Sequence, residues 1–123
     1  MAEGWSSTAG NAALEDLVAT YPYIQLHTAA PGAAGTNAVA GNATRKQATW
    51  GSASAGSIAT SADLVWSSEE VTTTEQYTHF TMWSAASAGT FGASGTVNAN
   101  AVTSGDEFKI AAGGLTLSID LAS

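Results

Sequence analysis

Cysteine is absent from all 123 residues, which removes disulfides, thiolate metal sites and cysteine nucleophiles together. Cations are almost as scarce: Arg45, Lys46 and Lys109 stand against ten carboxylates, for a formal net charge of -7. Three cations cannot neutralise a run of phosphates, so nucleic acid is not expected as a partner. The same deficit argues against anionic membrane surfaces, and no apolar run approaches the roughly 20 residues that span a bilayer. The opening Met1-Ala-Glu-Gly-Trp-Ser6 is acidic and polar. It has neither the basic region nor the apolar stretch of a secretory signal, so synthesis in the cytoplasm is expected.

More than half of the chain is Ala, Ser, Thr or Gly, a bias that suggests disorder when bulky residues are scattered. Here they are gathered. Leu, Ile, Val, Trp, Phe and Tyr fall in short windows separated by Gly, Ser and Asn, the pattern of an all-β domain with frequent turns. The length suits one domain. The expected organisation is a tail over residues 1–10, then a single β-sandwich over 11–123 with about seven to nine short strands.

The one convincing helix is expected from Asn11 to Tyr21. Asn11 is a good N-cap, Glu15 and Asp16 put negative charge in the early turns, Leu14, Leu17 and Val18 recur at helical spacing, and Pro22 stops the run. Tyr23 to His27 alternates as a strand. The stretch from Thr28 to Thr44 carries Pro31-Gly32, Gly35, Gly41 and Asn42 and almost no bulky side chain, so it is a long loop. A loop of that length either binds something or packs as a folded excursion. Short strands are expected over Arg45–Trp50, Asp63–Ser67 and Thr96–Thr103. Gln76–Ser84 sets Thr78, Phe80 and Met82 against Tyr77, His79, Thr81 and Trp83, so it reads as a central strand covered on both faces. At the end of the chain, Phe108 and Ile110 precede Gly113-Gly114. Leu115, Leu117, Ile119 and Leu121 then alternate with Thr116, Ser118 and Asp120, which puts four aliphatics in the core.

Catalytic readings find little purchase. His27 and His79 lie on strands beside large apolar residues, with no His-x-x-x-His pattern and no third nitrogen ligand, so both are expected to be structural and no metal or cofactor is assigned. Gly-x-Ser-x-Gly does not occur, and Glu69-Glu70 and Asp106-Glu107 are adjacent acids that point apart. Gly32-Ala-Ala-Gly35 lacks the lysine of a phosphate-binding loop. No enzyme is expected.

Interface readings find more. Trp5 sits in a polar tail where no core is expected, and a large aromatic there suits a partner's pocket. Arg45 and Lys46 flank the long loop. They either meet an acidic patch on a neighbouring subunit or form a local salt bridge. Trp50, Trp66 and Trp83 are assigned to the core, Trp83 most firmly because of its place on the central strand.

The order of these features resembles a family of small virion proteins of tailed bacteriophages, described as tail-fibre, minor-tail or capsid-decoration subunits. Leu26, His27, Thr28, Pro31, Gly32, Gly35 and Asn37 match its Leu-His-Thr and Pro-Gly loop pattern. Arg45 and Trp50 follow at the expected places, then Thr78, His79 and Trp83. The resemblance covers roughly residues 11–121. It implies a non-enzymatic structural protein on the virion surface, made in the host bacterial cytoplasm. Its partners would be the major capsid protein or tail proteins and copies of itself. Trp5, Pro31, Gly32, Gly35, Asn37, Arg45 and Lys46 are the interface candidates. Because the chain has neither the heptads nor the repeats of a fibre shaft, a capsid (head) decoration protein is the first expectation and a tail-fibre or minor tail subunit in host recognition the second.

Overall fold

A computed structural model of the chain describes residues 4–122, with the backbone alone at 98–100. The chain is mainly β. One helix, α1 (Ser7–Thr20), precedes eight strands: β1 (Tyr23–His27), β2 (Lys46–Gln47), β3 (Ser57–Ala59), β4 (Leu64–Trp66), β5 (Glu75–Trp83), β6 (Phe91–Val102), β7 (Phe108–Ile110) and β8 (Thr116–Ser118). A four-stranded antiparallel sheet runs in the order β2-β1-β5-β6, and β3-β8 and β4-β7 form two-stranded ribbons.

The helix starts four residues before the expected Asn11. Ser6 is the N-cap, its hydroxyl accepting the Ala9 N–H at 3.1 Å. Asn11 is spent elsewhere, accepting the Gly56 N–H at 2.9 Å. Residues 7–10 of the expected tail are therefore helical, and a glycine inside the first turns hid them from a propensity reading. Gly10 is buried where an added Cβ would lie 3.1 Å from the Leu121 side chain. Leu14 and Val18 supply the buried stripe.

Register decides which side chains share a face. Ile24 pairs with Met82 and Leu26 with Phe80, and all four enter one core with Ile58, Leu64, Trp66, Val71, Tyr77, Phe108 and Leu115. Burial of these apolar side chains is the main force holding the sheet to the ribbons. Tyr77 is a correction to strict alternation. A register shift between Tyr77 and His79 lets it join the core, where its ring meets Phe108 at 4.8 Å between centroids. Such a bulge re-aims one side chain without ending the strand.

The C-terminal alternation holds only in part. Leu115 is fully buried, whereas Leu117, Ile119 and Leu121 are half-buried, and β8 is only three residues long. The expected strand over Arg45–Trp50 shortens to β2, with Trp50 bridging Thr60 separately. β6 is longer than expected. Its early half, Phe91–Gly95, carries two glycines that sequence reading takes for loop. At Gly92 an added Cβ would strike the Tyr21 ring, and at Gly95 the Phe80 ring.

Candidate functional site

The face of the sheet opposite the core holds the residues that the sequence singled out. Tyr23, Gln25 and His27 of β1 lie opposite Trp83, Thr81 and His79 of β5. Gln25, His27, Thr81 and Trp83 are all buried; the 28–44 segment forms a strap that meets His27 through the Asn37 carbonyl and Gln25 through the Ala43 carbonyl, while Arg45 lies over Trp83. The central strand is thus covered on both faces, as its bulky side chains required.

A directional chain of hydrogen bonds runs beneath the strap. The Trp83 indole N–H donates to Thr81 Oγ1 at 2.7 Å. His27 Nδ1 lies 2.8 Å from the Asn37 carbonyl, which can only accept, so Nδ1 carries the hydrogen. The remaining ring nitrogen, Nε2, then accepts the Thr81 hydroxyl at 2.9 Å. Burial pushes the His27 imidazole below its ordinary pKa, against the Asn37 and Ala38 carbonyls that favour the charged ring, with His79 and Arg45 adding to the depression. His79 is half-buried, and its Nδ1 lies 2.8 Å from the Thr78 hydroxyl.

Arg45 closes the other end. Its guanidinium lies 4.2 Å from the Trp83 ring centroid, a cation–π contact. It donates to the Ala85 carbonyl at 3.0 Å, to the Ala88 carbonyl at 2.6 Å and, more weakly, to Gln25 Oε1 at 3.4 Å. One side chain therefore ties the strap's end to the β5–β6 turn and the sheet face. Lys46 forms an ion pair with Glu70 at 2.6 Å and holds that carboxyl below its usual range. Both cations are engaged within the chain. Trp83 is buried as expected, but beneath Arg45 and beside Phe91, apart from the main cluster that holds Trp66.

The strap is a folded excursion. Thr28 N–H donates to Ala38 O, Asn37 N–H to Pro31 O and Ala40 N–H to Leu26 O. The Glu75 carboxylate accepts the Gly41 and Asn42 N–H groups at 2.8 and 3.1 Å, while the Trp66 indole donates to Thr44 O. Pro31 and Gly35 are buried and Gly32 and Asn37 exposed. Gly35 has φ +73°, and an added Cβ would lie 2.5 Å from the Phe91 ring, so this position requires glycine twice over. Trp5 lies elsewhere, joined to the far end of the chain. Its N–H donates to Asp120 O and its carbonyl accepts the Ala122 N–H, while half of its side-chain surface remains exposed.

Gln25, Thr81, Phe91 and the Ala85–Ala88 turn are the parts of this cluster that sequence reasoning missed. Thr81 was already on the His79 and Trp83 face by alternation, and only the pairing of β1 with β5 brings it to His27. A separate shallow groove of about 390 Å³ between the end of α1 and the 47–50 segment is lined by Val18, Pro22, Gln47 and Trp50, with no ionisable side chain in its wall.

The fold is mainly β, and His27 and Arg45 are both engaged by groups of the chain itself. The family described as Podophage GP4 fiber I protein gp80 matches residues 4–118, and this chain belongs to it. The protein is thus a member of a phage fibre and virion structural family. No curated protein matches the chain.

Proposed function

We propose that this chain is a non-enzymatic structural subunit seated in a fibre on the virion surface of a tailed phage. The match of almost the whole chain to a family described by its fibre role carries this reading. It moves the emphasis from the head-decoration role that the missing heptads first suggested. Partners in this reading are tail proteins and copies of the chain, and synthesis takes place in the host cytoplasm. Two observations support contact surfaces rather than chemistry. Residues 28–44 and 76–105 carry no Asp, Glu, Lys or Arg, so the strap and the β5–β6 hairpin offer a neutral surface within a strongly acidic chain. Trp5 adds an aromatic side chain whose backbone is fixed while its ring stays half exposed, which is suited to anchoring in a partner.

Reconstruction of purified virions tests the proposal. Density for this chain in a fibre is expected, and Trp5→Ala should leave the domain folded while lowering its occupancy. Density over the head lattice instead would favour the decoration reading, which retains the support that no coiled-coil shaft is present in the sequence. Unchanged occupancy of Trp5→Ala particles would remove Trp5 from the interface.

A further inference from the structure

We propose that the strap is a proton-sensitive closure: protonation of His27 reverses the Thr81 hydroxyl and releases residues 28–40 from the sheet while the core beneath stays folded. The inference goes beyond a structural role and is independent of where on the particle the chain sits.

It stands on the hydrogen-bond chain. With His27 neutral, every member has one partner of the right kind: Trp83 N–H to Thr81 oxygen, Thr81 O–H to His27 Nε2, His27 Nδ1–H to Asn37 oxygen. A second proton on the ring turns Nε2 into a donor. Thr81 Oγ1 can accept both the Trp83 and the His27 N–H, but its own hydrogen then loses its acceptor. Because His27 is fully buried, the new charge has no water to solvate it while the strap is closed. The cationic and titratable groups facing it supply no compensating negative charge. Arg45 approaches from beside Trp83, and His79 lies directly opposite on β5. The strap itself and β6 bring no charged side chain, and the carboxylate that meets the strap, Glu75, is occupied by Gly41 and Asn42. Opening the strap gives the ring water and relieves all of these at once.

The strap yields before the core for a structural reason. Between Thr28 and Val39 its only buried residues are Pro31 and Gly35, and few backbone bonds tie it down, whereas Leu26, Phe80 and Met82 beneath it are sealed in the core. Segments with few buried apolar contacts open at low cost, independently of the rest. The sign follows from His27 lying below its ordinary value when the strap is closed. The open form then binds the proton more tightly. Closure is strongest above about pH 6.5 and weakens as the pH falls towards the closed-state value, by up to about tenfold per pH unit for one proton.

Amide hydrogen exchange on the full chain, corrected for intrinsic rates, tests this between about pH 7.5 and about pH 5, together with NMR titration of the His27 ring. The Asn37 and Ala40 amides should lose protection along that slope while β1 and β5 amides keep theirs, and the His27 ring should titrate over the same range. His79→Gln should preserve the transition, and His27→Gln should remove it. Strap protection that stays flat while His27 titrates would overturn the proposal, as would strap and core opening together or a slope retained in His27→Gln. Should His27→Gln fail to fold, the native chain decides: coincident ring titration and strap opening support the closure, and separated ones refute it.

Discussion

At the scale of single residues, the chain spends its rare groups on itself. Two of its three cations lie at the start of β2, and both are engaged internally, Arg45 by backbone carbonyls and the Trp83 ring, Lys46 by Glu70. Their contributions differ in kind. The Lys46–Glu70 pair is a single partly solvated ion pair and adds modestly to stability, whereas the Arg45 guanidinium satisfies two carbonyls and covers an aromatic face at once. Gly35 makes the sharper test. Its left-handed backbone and the Phe91 ring against its Cα mean that Gly35→Ala should destabilise the fold by about 1–3 kcal/mol, measured by urea denaturation. An effect near zero would mean that the strap does not rest on Phe91. The positions of Pro31, Gly32 and Gly35 could be marked from sequence because glycine and proline punctuate loops. What Gly35 touches could not, since Phe91 is distant in the chain and on a strand that sequence reading began too late.

Elements were legible where hydrophobic period and turn signals agreed. β1 falls where Tyr23 to His27 predicts it, and β5 and β4 lie within a residue or two of their expected spans. The departures have local causes. α1 begins at Ser7 because Ser6 caps it and Leu121 packs against Gly10, a tertiary contact that outweighs the glycine's poor propensity. The aliphatic alternation after Gly114 continues to Leu121, but only Leu115 is sealed beneath the ribbons, because β8 pairs with the short β3 and ends at Ser118. Truncations should reflect this. Leu26→Ala, at a site with no exposed surface, should cost about 2–5 kcal/mol, and Leu117→Ala about half as much or less, both read from denaturation midpoints at constant slope. Equal losses would show that β8 is as deeply packed as β1. The His27 cluster was half legible: alternation put the histidine, the threonine and the tryptophan on the correct faces, while only the β1–β5 register brings them together.

For the molecule as a whole, the likeness carried by the Leu-His-Thr strand and the Pro-Gly loop led to the right class of particle protein, since the family match spans residues 4–118 and includes them. Position on the particle was not written there. The join between the two ends of the chain has a mechanical consequence. Trp5 and Leu121 run parallel, with bonds from Trp5 N–H to Asp120 O and from Ala122 N–H to Trp5 O. Tension applied at residues 4 and 122 therefore pulls the two segments past each other lengthwise and loads both bonds together, rather than peeling them apart in turn. Rupture under load follows the unfolding rate, not the equilibrium stability. Ala122→Pro, which deletes one of the two donors, should lower the rupture force in single-molecule stretching from those positions while barely moving the thermal midpoint. An unchanged force would place the mechanical resistance elsewhere in the sheet. As built, the two described ends of the domain are coupled in shear by this pair of bonds.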